Sequence, residues 1–376
     1  MPPSSSKTQN ITLSTVKGTD AGSGSAVTLK RTQPVQYSLF QQFVPDDNRE
    51  DYSNTIELYD AIPKFFSSKK RMAEMREAGT FLHHLERHFK HAGKWYTVKI
   101  LPARLEDKDG QWREYYPSPQ EELVEEALKK IACEHLNGVY LNDTAGVQFT
   151  LFELRKELEN RGHSMNFPSL VTSLQINRRC GIVLTNENGE TCLDSPIFPV
   201  LVLTKRRQWE MDPKNARCYV QFNPLVTHSI NTLRYRQFSY VTFMKIDNQL
   251  ARWLFKRLSH NYTQASMMDP YTIKHSTMVR DSGLVNFTRI RDQVRYICKA
   301  LSELESENIR ILLNYKNQLD TAGRNRIVDA TYTLTPHPFF VSEVKKANKR
   351  NMLITDAALQ AGIRSSEVLA SHALGQ

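Results

Sequence analysis

The sequence has no Gly-x-x-x-x-Gly-Lys-Ser/Thr run, so it lacks the phosphate-cradling loop of a P-loop ATPase. It has no His-apolar-His pair, which argues against a metal- and tyrosine-dependent rolling-circle nickase. It has no Gly-x-Ser-x-Gly elbow to expose a serine nucleophile. Its five cysteines, Cys133, Cys180, Cys192, Cys218 and Cys298, form no Cys-x-x-Cys pair. That scatter argues against a disulfide frame or a zinc ribbon and points to a reducing cytoplasm. No stretch approaches the ~18 apolar residues of a membrane-spanning helix, and MPPSSSKTQN lacks the apolar run of a secretory signal. Neither a catalytic centre nor a cofactor is expected. An enzyme such as a primase, whose acidic ligands are dispersed, would leave no local signature and stays open as an alternative.

What is present is positive charge in one place. Lys205 to Lys299 holds 17 Lys/Arg against 6 Asp/Glu, while the whole 376-residue chain is only +10. A concentrated block makes a field that attracts a polyanion, whereas diffuse basicity mostly aids solubility. The block also carries aromatics and amphipathic patterns, so it is expected to be folded, with nucleic acid as its leading partner.

Residues 1–45 are rich in Ser, Thr and Gly and are expected to be a disordered tail. A small N-terminal α/β region follows at 46–117. There the spacing predicts a helix from Ser68 to Phe89 and a hairpin of Trp95–Leu101 with Trp112–Tyr116. His84, His88 and His91 would share one face of that helix. With only Glu86 nearby, they are expected to be surface or packing histidines and not metal ligands.

From 118 to 236 the pattern reads helix, helix, helix, two-stranded wing. Ser118-Pro119 with Glu121, and Thr150 with Glu153, have capping-box spacing. A third helix is predicted from Asn166 to Arg179. A hairpin turns at Asn188-Gly189, between Ile182–Thr185 and Ile197–Leu203. From 237 to 340 the same order returns. It comprises a helix at Lys245–Leu258, a strand at Tyr271–Ile273, helices at Ser276–Ser282 and Asn286–Glu305, and a hairpin around Ala322-Gly323. Residues 341–376 read as a C-terminal helical tail. The expected class is α+β, with two tandem winged-helix domains.

In the second unit Ile290, Val294, Ile297, Leu301 and Leu304 fall on one helical face. The opposite face collects Thr288, Arg291, Asp292, Arg295 and Lys299. Arg can pair bidentately with guanine and Asp can accept from cytosine, so this helix is the candidate groove reader. Lys274, Arg280, Lys316, Arg324 and Arg326 would touch phosphates. In the first unit Thr172, Gln175 and Arg179 face outward on a less basic surface. Lys205, Arg206 and Arg207 would add phosphate contacts between the units.

Within the tail, Gln36-Tyr37-Ser38-Leu39-Phe40 is apolar among polar residues. Four of its five positions resemble the bacterial sliding-clamp binding pentapeptide. Gln36, Ser38, Leu39 and Phe40 would carry that contact, and Tyr37 stands where the pattern has Leu.

The stretch from Ile62 to about Val328 resembles RepA-type replication initiators of theta-replicating bacterial plasmids. The residues that carry it are Tyr96-Thr-Val-Lys-Ile-Leu-Pro-Ala-Arg, Tyr116-Pro-Ser-Pro-Gln-Glu-Glu-Leu-Val-Glu-Glu-Ala-Leu-Lys-Lys-Ile-Ala, Leu250-Ala-Arg-Trp-Leu-Phe-Lys-Arg-Leu-Ser-His and the helix from Arg289 to Leu304. The resemblance implies an initiator that binds repeated origin sites (iterons), helps open the duplex and recruits the host helicase and clamp. It also implies a dimer–monomer switch, with the first winged-helix domain as the homodimer surface or as a second DNA reader, and repression of the initiator's own promoter. A winged-helix repressor without a replication role is the rival reading.

Overall fold

The structure, a computed structural model, describes residues 51–65, 69–106, 109–133, 137–141, 144–204, 211–212, 216–323 and 326–360. The expected tail at 1–45, Gln36–Phe40, Lys205, Arg206, Arg207 and Arg324 lie outside these residues.

The chain begins with strand β1 (Tyr52–Ile56) and helices α1 (Glu57–Ala61) and α2 (Lys69–Glu77). Strands β2 (Leu85–His91), β3 (Lys94–Leu101), β4 (Ala103–Glu106) and β5 (Trp112–Tyr115) follow. The helix expected over Ser68–Phe89 therefore stops at Glu77, and its second half is a strand. Leu85 and Phe89 are buried, and a spacing of four satisfies both a helical turn and two strand periods. In a strand, His88 and His91 point to opposite faces, so the three histidines share no surface. The expected hairpin is also re-paired. Trp112–Tyr115 pairs with Ala103–Glu106, while β3 lies between β2 and a later strand.

Helix α3 (Pro119–Ala132) starts at Ser118, whose backbone N–H donates to Glu121 Oε2 at 2.8 Å. Strands β6 (Gly138–Leu141) and β7 (Thr144–Thr150) lead to α4 (Leu151–Asn160). Here both halves of the capping box form: Glu153 N–H donates to Thr150 Oγ1 at 3.0 Å and Thr150 N–H to Glu153 Oε2 at 2.7 Å. Helix α5 (Phe167–Arg179) is capped by Asn166, and β8 (Gly181–Asn186) and β9 (Thr191–Pro196) form the expected hairpin through Asn188-Gly189. Ile197–Leu203 is not that hairpin's second strand. Ile197 and Phe198 enter the core, and β10 (Val200–Val202) pairs with β11 (Arg217–Gln221) in the sheet β10-β11-β7-β6. The β8–β9 hairpin extends instead through β3 into the sheet β2-β3-β8-β9.

After α6 (Pro224–Asn231), strand β12 (Tyr235–Ser239) pairs antiparallel with β1 across almost half the chain. The helix expected at Lys245–Leu258 is two helices, α7 (Tyr240–Lys245) and α8 (Gln249–Asn261), separated where Asn248 caps α8. Strand β13 (Tyr271–Lys274), helix α9 (His275–Ser282), helix α10 (Ile290–Glu305) and the hairpin β14 (Leu312–Ala322) with β15 (Arg326–Pro336) follow. β13 joins this hairpin in a three-stranded sheet, β13-β15-β14. Helix α11 (Pro338–Gln360) closes the described chain. The content is α+β with antiparallel strand pairs throughout. A core of aromatic and aliphatic side chains runs from Tyr52 to Ile354.

Candidate nucleic-acid interface

Helix α10 buries Ile297, Ala300, Leu301 and Leu304, and turns Arg291, Arg295 and Lys299 to solvent. The first helical residue is Ile290, so Thr288 is exposed just ahead of the helix and not on it. Asp292 sits in the first turn, where a carboxylate complements the helix dipole. Arg295 Nη1 donates to Asp292 Oδ1 at 3.1 Å, and the Arg295 side chain is 81% exposed. Such a surface pair is worth at most about 1 kcal/mol and leaves the guanidinium free to exchange partners.

The helix is held at both ends. Gln293 Nε2 donates to the Phe287 carbonyl at 2.6 Å, and its Oε1 lies 2.7 Å from His275 Nε2. At the other end, the Glu303 carboxylate accepts from the Asp247 N–H at 2.6 Å and the Asn248 N–H at 3.1 Å. The acidic last turn of α10 thus caps the approach to α8. The hairpin lies against α10: Tyr315 Oη is 3.0 Å from Ser302 Oγ, and Asn317 Nδ2 donates to Cys298 Sγ at 3.8 Å. Ser276 ties α9 to β15, its N–H and Oγ donating to Asp329 at 3.0 and 2.9 Å. Lys316 and Arg326 on the hairpin are exposed, as is Lys274 before α9. Val328 is the extra residue where the register slips opposite Asp320 and Thr321, and a bulge of this kind re-aims a hairpin tip.

On α5, Thr172 and Arg179 are exposed and Gln175 is half-buried. Thr172 Oγ1 donates back to the Pro168 carbonyl at 2.9 Å, and Arg179 Nη1 to the Arg104 carbonyl at 2.9 Å. Arg280 is half-buried beside the β2–β3 turn. Its Nε donates to Asp281 at 2.6 Å and its guanidinium lies 4.8 Å from the Trp95 ring centre.

The positive block is also partly internal, which the sequence did not disclose. Arg252 and Lys256 on α8 are buried against α3 and α1. Arg252 Nη2 is 3.0 Å from Glu122 Oε2, and Lys256 Nζ is 2.7 Å from Glu126 Oε1 and 3.2 Å from Asp60 Oδ1. Lys129 Nζ reaches Asp60, Glu125 and Glu126 at 3.1, 3.2 and 2.8 Å. Lys64 lies 3.9 Å from both Asp60 and Glu125. Four carboxylates thus meet four cations in the joint of α1, α3 and α8. Burial alone would raise the Asp60 pKa, but Lys129, Lys256 and Lys64 hold it well below the carboxylate range. Burial would likewise lower Lys129, and the three surrounding carboxylates raise it. The available signal was the run Glu-Glu-Leu-Val-Glu-Glu-Ala-Leu-Lys-Lys, whose polar face resembles any solvated helix.

Among the described residues, no helix is long and apolar enough to cross a membrane, and no group of three or more His, Cys, Asp or Glu could hold a metal ion.

No family model matches the chain, and no curated protein matches it. Solved structures do. Domains 2 and 3 of RctB, as the selenomethionine derivative, share 10% identity over 68% of this chain and 91% of that one, with a TM-score of 0.42. A second crystal structure of RctB domains 2–3 gives 10% identity, 71% and 95% coverage and a TM-score of 0.41. The Pi initiator protein in complex with iteron DNA gives 10% identity, 57% and 91% coverage and a TM-score of 0.35.

Proposed function

We propose that this chain is a sequence-specific double-stranded-DNA-binding replication initiator of the plasmid type, with no catalytic step of its own. It is built on two winged-helix units and binds repeated origin sites. In this reading α3, α4, α5 and β8–β9 form the first unit. α8, β13, α9, α10 and β14–β15 form the second. The observation that carries the reading is the solvent-facing strip Arg291, Arg295 and Lys299 on α10, flanked by a hairpin with exposed Lys316 and Arg326.

Arg291 and Arg295 read base edges in the major groove. Lys299, Lys274, Lys316 and Arg326 neutralise phosphates and fix the register. Arg324, Lys205, Arg206 and Arg207 add to this charge, and Thr172, Gln175 and Arg179 on α5 form a second, less basic contact. Binding along several repeats bends the duplex, and the strain falls on adjacent easily unstacked sequence. The peptide Gln36, Ser38, Leu39 and Phe40 then captures the host sliding clamp.

Selection of bound sites from random duplexes tests the reading. Direct repeats are the expected outcome, and a single palindrome would favour an ordinary repressor. Replacing Arg291 and Arg295 by Ala is expected to abolish specific binding with an unchanged circular dichroism spectrum. An unaltered footprint would remove α10 from the interface. Leu39→Ala with Phe40→Ala is expected to end clamp pull-down and spare DNA binding, and equal recovery of clamp would remove the peptide's role.

A further inference from the structure

A cavity of about 480 Å³ lies between the β2–β3 turn, α8 and α9. Lys90 and His91 line it from the turn, and Lys256, Arg257, Tyr271 and Arg280 from the opposite side. Its volume falls within the ~300–1,000 Å³ range of small-molecule sites. It is distinct from the exposed strip of α10 and does not depend on the DNA reading.

The arginines are held in position from below. Asp281, 2% exposed, accepts from Arg280 Nε at 2.6 Å, from Arg257 Nη1 at 3.3 Å and from the Lys90 backbone N–H at 3.1 Å. Arg257 Nε also donates to Tyr271 Oη at 3.4 Å. Aromatic rings fix the guanidinium planes: Trp95 under Arg280 at 4.8 Å and Trp253 under Arg257 at 5.3 Å. A guanidinium has five N–H donors, and these contacts use one group of Arg280 and two of Arg257. Among the described residues no hydrogen bond is made by Arg280 Nη1 and Nη2 or by Arg257 Nη2. The other two carboxylates at the wall are already engaged. Glu57 is 3.4 Å from His91, and Asp60 is bound by Lys129 and Lys256 at 3.1 and 3.2 Å.

We propose that this cavity binds a small phosphate-bearing molecule, with Arg257, Arg280 and Lys90 on the phosphate oxygens. The open Nη1/Nη2 edge of Arg280, Nη2 of Arg257 and one ammonium call for at least three acceptor oxygens around one centre. A phosphate has these and a simple carboxylate does not. The ligand bridges the β2–β3 turn to α9, which already meet through Asp281 and through Trp95 beneath Arg280. Occupancy therefore stabilises the joint between the N-terminal sheet and the elements that carry α10.

The test is calorimetric titration and thermal unfolding of the full chain with ATP, inorganic phosphate, pyrophosphate and acetate at matched ionic strength. The expected result is saturable binding and a raised Tm for one or more phosphate compounds and none for acetate. A response to ATP alone identifies a nucleotide, and an equal response to inorganic phosphate identifies the free anion. Arg280→Gln and Lys90→Ala are each expected to weaken binding at least tenfold. Lys90→Ala keeps the backbone bond to Asp281, so it reports even if Arg280→Gln fails to fold. The proposal is overturned by an equal shift in acetate, by no saturable binding of any phosphate compound, or by unchanged affinity in Lys90→Ala. It is also overturned if one equivalent of duplex DNA displaces the bound phosphate compound, since that assigns the arginines to the duplex.

Discussion

Lys256 Nζ lies 2.7 Å from Glu126 Oε1, although 130 residues separate them in the chain. Both are buried, so the pair is a tie between α8 and α3 and not a surface ornament. Lys129 shares the same carboxylate, so removing Lys256 leaves the buried cluster with one uncompensated negative charge, which costs about 3–5 kcal/mol. Lys256→Ala is therefore expected to lower urea-derived stability by that amount. Adding Glu126→Gln to Lys256→Met should restore a large part of it. If the single variant loses under about 1 kcal/mol, the network carries no stability.

His260 gives the joint a pH dependence. Burial lowers its pKa from 6.5 to about 4, against the pull of Asp60 and Glu57. The folded state therefore keeps this ring neutral where the unfolded chain protonates it. Stability from this group is complete above pH 6.5 and drains away as pH falls from 6.5 toward 4, by up to about 3 kcal/mol. His260→Gln should flatten the stability profile across that window. A parallel, equally steep profile would show that other groups are responsible.

Gly283 ends α9 at φ +61°, and a Cβ there would come 2.8 Å from Arg87 Cδ. Arg87 is half-buried and its guanidinium is bound to the Pro63 and Phe65 carbonyls, so it has little room to retreat. Gly189 has φ +81° but nothing within 4 Å of a Cβ. Gly189→Ala should cost about 1–2 kcal/mol for the left-handed backbone alone, and Gly283→Ala more. Equal midpoints in thermal unfolding would show that Arg87 yields freely.

Salt dependence separates the roles proposed on α10 and its hairpin. Lys299→Ala and Lys316→Ala should each weaken binding on all sequences and reduce the slope of log K against log salt by about 1. Arg291→Ala should cost about 1–3 kcal/mol on the preferred site and relax selection at one base pair. A Lys299 variant with an unchanged slope makes no phosphate contact.

The local elements were largely legible in the sequence. Both capping boxes, the Asn188-Gly189 turn and the long terminal hairpin depend on residues within a few positions of each other, and the structure contains them. The exposure of Arg291, Arg295 and Lys299 on α10 and of Thr172 and Arg179 on α5 was likewise readable from helical spacing, whereas Gln175 and Asp292 are half-buried and Thr288 precedes the helix. What was not legible depends on distant partners. The acidic face of α3 reads as solvated until Arg252 and Lys256 arrive from α8. Leu85 and Phe89 fit a helix and a strand equally well, and the ladder with β3 decides between them. Ile197–Leu203 reads as one apolar strand because nothing local marks where β9 ends and β10 joins another sheet. Arg280 reads as a free cation until Trp95 and Asp281 are placed beside it.

The pairing of Tyr52–Ile56 with Tyr235–Ser239 has a consequence for synthesis on the ribosome. The first of these segments emerges about 180 residues before its partner, on the order of ten to forty seconds at ordinary elongation rates. Throughout that interval Tyr-Ser-Asn-Thr-Ile has no ladder to complete. The nascent chain therefore waits with an open hydrogen-bonding edge, and slowing translation between the two segments lengthens its exposure to mispairing and aggregation.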